Sequence, residues 1–174
     1  VIANFMAEYT DIDQVWLVVT PQNPLKMKSS LLPDYHRLAI VNEAIQDNFN
    51  LKASDIEFKL PQPNYTSTTL AHLKEKYPKY EFSLIMGEDN LKTFHKWKNY
   101  EVILENHEIY VYPRISGGKV ENEFKDHPKI KRVAAPVVEI SSTFIRKSVK
   151  EGKFIKPMLP DSVWDYIKLM NFFK

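Results

Sequence analysis

Short continuous runs of apolar residues alternate along this chain with stretches in which apolar residues recur every three or four positions. The runs are typical of strands covered on both faces, and the wider spacing is typical of amphipathic helices. Predicted strands are 15–20, 82–86 and 108–112, with a more exposed, alternating strand at 55–60. Predicted helices are 1–9, 34–48, 66–77, 87–97, 100–105 and 161–173. This alternation predicts an α/β fold with right-handed crossovers and a doubly wound parallel sheet.

The helical spacing also predicts which side chains face the core. In the helix at 34–48 and just beyond it, the apolar face consists of Leu38, Val41, Ile45 and Phe49. In the helix at 161–173, the inward side chains are Val163, Trp164, Ile167 and Met170. Both assignments follow from positions three or four apart lying on one side of a helix.

The stretch 139–152, E-I-S-S-T-F-I-R-K-S-V-K-E-G, combines a helix start rich in hydroxyls with an arginine one turn later. An apolar run at 131–138 predicts a strand that leads into it. Ser141, Ser142 and Thr143 suit a helix N-terminus, where free N–H groups and the helix dipole favour an anion. Arg146 lies at i+4 from Ser142, so its guanidinium can reach back over the helix start and meet a phosphate. A capped surface helix with a solvated arginine is the alternative.

Loops that follow predicted strands hold other candidate residues, because ligands of such sheets bind beyond the carboxyl ends of the strands. Gly87 follows a buried strand and would let a ligand approach the backbone closely. Asp89 could accept hydrogen bonds from ribose hydroxyls, or it could cap a helix. Lys26, in the proline-containing loop after the first strand, would meet a phosphate as a point charge or remain solvated.

The motif I-S-S-T-F-I-R resembles the C-terminal I-S-S-T-x-I-R motif of the nucleotidyltransferase superfamily. Within that superfamily the chain, from Val1 to Lys174, is similar to the bacterial nicotinate mononucleotide adenylyltransferases. Two further matches are a P-x-K element at Lys26 and a histidine–arginine pair at His36-Arg37. An S-Y-T-x-x-T-L element also matches at 64–70, with Asn64 replacing the serine. The last match is a G-x-D-x-x-x-x-F-x-x-W element at Gly87, Asp89, Phe94 and Trp97. The resemblance implies a Rossmann-like fold of the nucleotidyltransferase type with a small C-terminal helical part.

The resemblance also implies an enzyme that transfers AMP from ATP to nicotinate mononucleotide, which gives deamido-NAD and pyrophosphate in NAD biosynthesis. The residues implied to bind ATP are Ser141, Ser142, Thr143, Arg146, Gly87, Asp89 and Lys26. The residues implied to bind nicotinate mononucleotide are Thr66, Trp97, Tyr65 and Arg37. Trp97 would stack on the pyridine ring unless it is an ordinary core tryptophan, and Thr66 would meet the carboxylate unless it only caps its helix. Mg²⁺ would accompany ATP and bridge its phosphates.

One element of the family has no match here. The family opens with a strand, a glycine-containing turn and an H-x-G-H motif, whereas none of the five histidines of this sequence lies in such a motif. Residues 1–7 resemble the helix that follows the motif, so we expect an N-terminally incomplete sequence. No catalytic residue is identified, and Arg146 would only support catalysis. A non-catalytic nucleotide-binding remnant is one alternative, and an adenylyltransferase that prefers nicotinamide mononucleotide is another.

Composition narrows the class of protein further. A length of 174 residues, of which 44% are hydrophobic, predicts one domain over 1–174 with a C-terminal helical part at 139–174. The net charge of +2 gives no argument for nucleic acid, and the absence of cysteine excludes a disulfide scaffold and a thiolate metal site. No apolar run approaches the roughly 20 residues of a membrane span. We therefore expect a cytoplasmic protein that binds small molecules, with no metal held by its own side chains and with a homo-oligomer left open.

Overall fold

A computed structural model describes residues 1–24, 32–115, 124 and 126–174, and every strand pairing among them is parallel. The strands are β1 Val15–Val18, β2 Leu51–Ser54, β3 Leu84–Gly87, β4 Ile109–Tyr112 and β5 Ile130–Arg132. The α-helices are α1 Ile2–Tyr9, α2 Asp34–Ile45, α3 Thr66–Lys76, α4 Glu88–Leu91, α5 Tyr100–Asn106, α6 Ser142–Lys150 and α7 Asp161–Leu169. Parallel strands that alternate with helices confirm the predicted α/β class.

The described strands form two sheets. Strand β1 pairs with β2, and β3, β4 and β5 pair in that order. Val15 lies opposite Leu51 in the first sheet, and Leu84, Ile109 and Ile130 lie in register across the second. Because the strands are parallel, the carboxyl ends of β3, β4 and β5 meet at one edge, and most candidate site residues follow those ends.

Two clusters of buried apolar side chains form the core and hold the sheets side by side. The larger cluster packs helices against β3 and β4, and its members are Leu70, Met86, Leu91, Phe94, Ile103, Ile109, Val111 and Phe124. The second contains Met6, Val15 and Tyr110, and Ile85 packs against it. Since Val15 belongs to β1 and Ile85 to β3, this cluster joins the two sheets beneath helix α1.

The predicted strand at 55–60 is wrong. The strand of this region is β2, and the chain then turns into a short 3₁₀ helix, Ile56–Lys59. Ile56 and Glu57 are adjacent and both buried, whereas neighbouring side chains of a strand point to opposite faces. The alternating pattern therefore came from a tight helical turn that places a glutamate inside the protein.

Helix α2 ends three residues earlier than predicted, at Ile45. The Asn48 amide donates to the Ile45 carbonyl at 2.9 Å, and the Asn50 amide donates to Asn48 Oδ1 at 3.0 Å. These bonds form a turn that leads into β2. Phe49 lies beyond the helix and is 92% exposed, so its assignment to the core is wrong.

Helix α7 is also shorter than predicted, because it ends at Leu169. Val163 and Ile167 are buried as the spacing predicts. Met170 is 39% exposed, so the prediction that it points inward is wrong. The chain leaves the helical direction at Asn171, whose φ of 59° is left-handed.

Helix α7 is fastened to helix α2 by polar contacts. His36 Nδ1 and the Tyr166 hydroxyl are 3.0 Å apart, and Ser162 Oγ donates to the Glu43 carbonyl at 2.7 Å. The His36 ring also packs edge-on against Phe172, with ring centroids 4.8 Å apart. The C-terminal segment therefore supports the helix that carries the predicted histidine–arginine pair.

The apolar run at 131–138 forms less strand than predicted. Strand β5 ends at Arg132, and residues 133–141 have no regular structure before helix α6. The charged stretch at 116–126, with Gly117-Gly118, predicts a mobile loop, and most of it lies outside the described residues. Phe124 is described there, and it is buried against Phe94 with ring centroids 5.6 Å apart.

Candidate functional site

Helix α6 opens with an exposed row of hydroxyls, as its sequence predicts. Ser141 is the N-cap, and its Oγ accepts from the Phe144 amide at 3.1 Å. The Arg146 guanidinium reaches back over the helix start, where its Nη2 donates to Thr143 Oγ1 at 3.3 Å. The first amides of a helix have no intrahelical acceptor, and the helix dipole is positive there. N–H, hydroxyl and guanidinium donors thus converge at one point, which suits an anion, although a simple capped helix would share this geometry.

Gly87 ends β3 at a crowded position. A Cβ placed on it would lie 2.5 Å from Asp89 Oδ1, 3.2 Å from Tyr112 Cζ and 3.3 Å from Arg114 Cγ. The glycine therefore makes room for three of the protein's own side chains. This differs from the expectation that its missing side chain makes room for a ligand.

Asp89 lies over Gly87 and faces Arg114. The Asp89 Oδ1 and Arg114 Nε atoms are 3.9 Å apart, and both side chains are partly exposed. Gly87 is the N-cap of helix α4, and no side chain among the described residues caps that helix, so the helix-cap alternative for Asp89 is wrong. Asp89 is therefore a half-exposed acceptor at the carboxyl edge of the sheet, with a cation beside it.

The start of helix α3 is bound to the loop that follows β1. The Asn64 amide donates to the Gln22 carbonyl at 2.9 Å, and the Gln22 amide donates back to Asn64 Oδ1 at 3.2 Å. Asn64 Nδ2 also donates to the Glu57 carbonyl at 3.3 Å. Tyr65 is the N-cap of the helix, and among the described side chains none caps it. Ordinary side-chain capping therefore does not explain Thr66, whose amide opens the helix.

Trp97 directly precedes Lys98, whose ammonium contacts this helix start. It is half-buried and packs edge-on against Phe94, with ring centroids 5.5 Å apart. Its Nε1 atom is buried and has no hydrogen-bond partner within the described part of the chain. The neighbouring Lys98 places its Nζ 4.5 Å from the centroid of the Tyr65 ring. The structure thus brings the Lys98 ammonium onto the ring of Tyr65, although about thirty residues of sequence separate the two.

Arg37 makes contacts that the sequence does not reveal. Its guanidinium donates to the carbonyls of Leu32 at 3.0 Å, Thr20 at 2.7 Å and Pro21 at 3.4 Å. These bonds fix the backbone after β1, and the predicted contact with substrate stays a prediction. Lys26 lies outside the described residues.

Comparison with known proteins agrees with this architecture. A cytidylyltransferase-like family model matches residues 1–148. A Flavobacterium johnsoniae protein named "probable nicotinate-nucleotide adenylyltransferase" is 67% identical over 174 residues, which cover 100% of this chain and 90% of that protein. A Christiangramia forsetii protein of the same name is 66% identical with the same coverage. The chain belongs to the nicotinate-nucleotide adenylyltransferase family.

Solved structures of this family support the fold. The nicotinic acid mononucleotide adenylyltransferase of Plasmodium falciparum, complexed with NaAD, has a TM-score of 0.81 and 21% identity. The match covers 99% of this chain and 88% of that one. The same protein complexed with APC has a TM-score of 0.80, with 20% identity and the same coverage. This structural similarity confirms the nucleotidyltransferase fold class that the sequence motifs predicted.

Two residues that position the family's T-x-x-T-L helix were missed from sequence. Glu57 is 5% exposed, and its Oε1 accepts from Thr69 Oγ1 at 2.6 Å, one turn inside helix α3. Asn64 was noted only because it replaces a serine, yet its amide side chain makes two of the bonds that hold this helix start. Glu57 and Asn64 flank the turn at Pro61 and Pro63, but only the folded turn shows which groups they contact.

Among the described residues, an ionic network around Lys131 lies at the opposite end of the strands. Lys131 Nζ is 2.7 Å from Glu108, 3.1 Å from Asp11 and 3.0 Å from the Tyr110 hydroxyl. Its pKa is raised, chiefly by the hydrogen bond to Glu108. The hydrogen bond from Tyr110 lowers the pKa of Asp11, and desolvation raises the pKa of Tyr110. Glu108 and Asp11 precede β4 and β1, so this network stabilises the amino edge and is remote from the candidate site.

Proposed function

We propose that this chain carries the activity of a nicotinate-nucleotide adenylyltransferase. It would transfer AMP from ATP to nicotinate mononucleotide and release pyrophosphate. The observation that carries the proposal is that proteins of that name are 63–67% identical to it over all 174 residues. In the reaction, a phosphate oxygen of the mononucleotide forms a bond to the α-phosphorus of ATP. The bond from that phosphorus to the bridging oxygen of the β-phosphate breaks, and pyrophosphate leaves.

The start of helix α6 would hold the phosphates of ATP. Its amide donors, the hydroxyls of Ser142 and Thr143 and the Arg146 guanidinium all favour a polyanion. Arg146 already reaches over the helix start, where it contacts Thr143 Oγ1 at 3.3 Å, and its planar fork of donors suits a phosphate. Asp89 would accept from ribose hydroxyls, and Arg114 would keep its carboxylate oriented.

The start of helix α3 would hold the nicotinate end. The amide of Thr66 opens that helix and suits a carboxylate, and the half-buried Trp97 offers a ring face to the pyridine. The bonds of Asn64 to Gln22 support this arrangement, because they fix the helix start before a substrate arrives. Since both reactants are anionic, the contribution of these residues is to position them and offset their charge.

We propose that Mg²⁺ accompanies ATP. The described residues contain no group of three or more His, Cys, Asp or Glu side chains that could hold a metal ion, so a cage of protein ligands does not fit this part of the chain. The ion would therefore be carried by ATP rather than by protein side chains, because Mg²⁺ usually takes few protein ligands. When bound, it would neutralise phosphate charge.

A cytoplasmic location is also part of the proposal, supported by a sequence without cysteine. Among the described helices, none has the length and apolar character needed to cross a membrane.

The test is direct. The chain is incubated with ATP, Mg²⁺ and nicotinate mononucleotide, and deamido-NAD and pyrophosphate are quantified. Equimolar formation of both supports the proposal, and a parallel reaction with nicotinamide mononucleotide shows which base is preferred. Binding of both nucleotides without product would contradict catalysis by this chain and favour a nucleotide-binding remnant.

A further inference from the structure

Lys98 projects its ammonium onto the residue that opens helix α3. Its Nζ lies 4.5 Å from the centroid of the Tyr65 ring, and Tyr65 is the N-cap of that helix. An ammonium over an aromatic face is attracted by the electrons of the ring. This contact therefore holds a positive charge beside the helix start that would receive the nicotinate carboxylate.

No ion pair within the described residues offsets the charge of Lys98. Lys98 is exposed, and none of the ion pairs among the described residues includes it. An ammonium that rests on a ring retains its free N–H donors, because a ring face accepts no conventional hydrogen bond. The Lys98 side chain is therefore able to pair with an incoming anion.

Two other donors lie on the segments that this contact joins. The hydroxyl oxygen of Ser67, in the first turn of helix α3, is buried and has no partner within the described part of the chain. The Nε1 atom of Trp97, adjacent to Lys98, is in the same condition. A buried donor without an acceptor is unfavourable, so each segment would gain stability from an acceptor that reached its atom.

We infer that Lys98 is a specificity-determining residue, which favours nicotinate over nicotinamide at this position. The inference rests on the proposed function and deepens it. A nicotinate carboxylate is ionised at neutral pH and gains from a nearby ammonium, whereas a neutral carboxamide gains much less. The contact with Tyr65 restricts the lysine in advance, so less conformational entropy is lost when the carboxylate binds.

The experiment compares the affinities of nicotinate and nicotinamide mononucleotides by calorimetry for wild type, Lys98→Gln and Lys98→Arg. Lys96→Gln, which removes a charge two residues away, is the matched control. Lys98→Gln is expected to lower the affinity for nicotinate mononucleotide by about three- to fivefold, the range of an exposed ion pair, and to leave the affinity for nicotinamide mononucleotide unchanged. Lys98→Arg should restore the preference, and the loss should shrink at high salt because the charges are screened.

Equal weakening of both mononucleotides by Lys98→Gln, or no change in their ratio, would overturn the inference. An equal change of the ratio in Lys96→Gln would also overturn it, because the effect would then reflect net charge. Tyr65→Leu tests the ring contact: it should lower the ratio, and adding Lys98→Gln should lower it little further. Failure of the proposed function is distinguishable, since wild type would then form no product or bind neither mononucleotide, whereas failure of the inference leaves product formation intact and the affinity ratio unchanged.

Discussion

Replacing Gly87 by alanine tests how the end of strand β3 is packed. The backbone φ of Gly87 is −78°, which any residue adopts, so alanine brings no backbone strain. Its Cβ would lie 2.5 Å from Asp89 Oδ1, a distance at which the carboxylate must move. The Tyr112 ring and the Arg114 side chain, at 3.2 and 3.3 Å, would each have to shift by a few tenths of an ångström.

Two effects of Gly87→Ala are expected. Overpacking of this kind destabilises a protein by about 1–3 kcal/mol, and in a chain of this size each kcal/mol lowers Tm by about 2–4 °C. Displacement of Asp89 from its place beside Arg114 should also lower the affinity for ATP by about tenfold, which corresponds to the loss of one hydrogen bond to a charged group. Urea denaturation measures the first effect, and calorimetric titration with ATP measures the second.

Gly152→Ala is the matched control, because at this position the added Cβ has free space but the backbone conformation disfavours alanine. The described structure has nothing within 4 Å of the added Cβ, whereas the φ of +69° is left-handed. Alanine there should cost about 1 kcal/mol through backbone strain and leave ATP affinity unchanged. If Gly87→Ala bound ATP as wild type does, or if both variants lost affinity equally, the argument from crowding at Gly87 would be refuted.

Three further variants address other contacts. Asn64→Ala removes the side-chain bonds to Gln22 and to a buried carbonyl, so unfolding in urea should show a loss of about 2–3 kcal/mol. Folding lowers the pKa of Asp11, so the ionised carboxylate stabilises the protein above the unfolded-state pKa, and this stabilisation is lost as the pH falls. The difference in stability between wild type and Asp11→Asn should therefore shrink on acidification. Arg146→Ala should lower kcat/KM for adenylyl transfer by about tenfold or more, with little change in Tm, because its described contact is an exposed one to Thr143.

Each of these variants has an outcome that would contradict its reasoning. Asn64→Asp keeps an oxygen that can accept from the Gln22 amide, so it should lose less stability than Asn64→Ala. Equal losses of stability in the two variants would show that this hydrogen bond contributes little. If the difference in stability between wild type and Asp11→Asn stayed constant from neutral to acidic pH, ionisation of Asp11 would not contribute to the pH dependence of stability. Lys147→Ala, one residue after Arg146, is the control for surface charge, and an equal fall in kcat/KM would reject a specific role for the arginine.

The sequence predicted best what depends on periodicity and local order. The apolar run from Val15 marks a real strand, whose side chains are buried or half-buried along its length. Gly87 and Asp89 follow a strand directly, so their place at the carboxyl edge could be predicted without knowledge of distant residues. The reach of Arg146 over its own helix start is likewise a property of helix geometry.

The residues that the sequence could not explain act through distant partners. Arg37 resembles a substrate ligand in the sequence, yet its guanidinium binds three backbone carbonyls that only the folded loop brings together. Glu57 lies in an alternating pattern typical of a strand, and its buried contact with Thr69 becomes visible only after the chain turns. Phe49 fits a helical spacing that the Asn48 turn interrupts. Arg37 and Glu57 thus depend on contacts with residues far apart in sequence, whereas Phe49 depends on a local turn.

The fastening of helix α7 to helix α2 has a practical consequence for anyone who alters the end of this chain. Tyr166 and Ser162 hold the helix on which His36 and Arg37 lie, and Arg37 fixes the backbone that leaves β1. An affinity tag or truncation that loosens the last two helical turns would therefore disturb a loop more than a hundred residues upstream. Loss of nucleotide binding in such a protein would report damage at its tail, even though no residue there need touch a ligand.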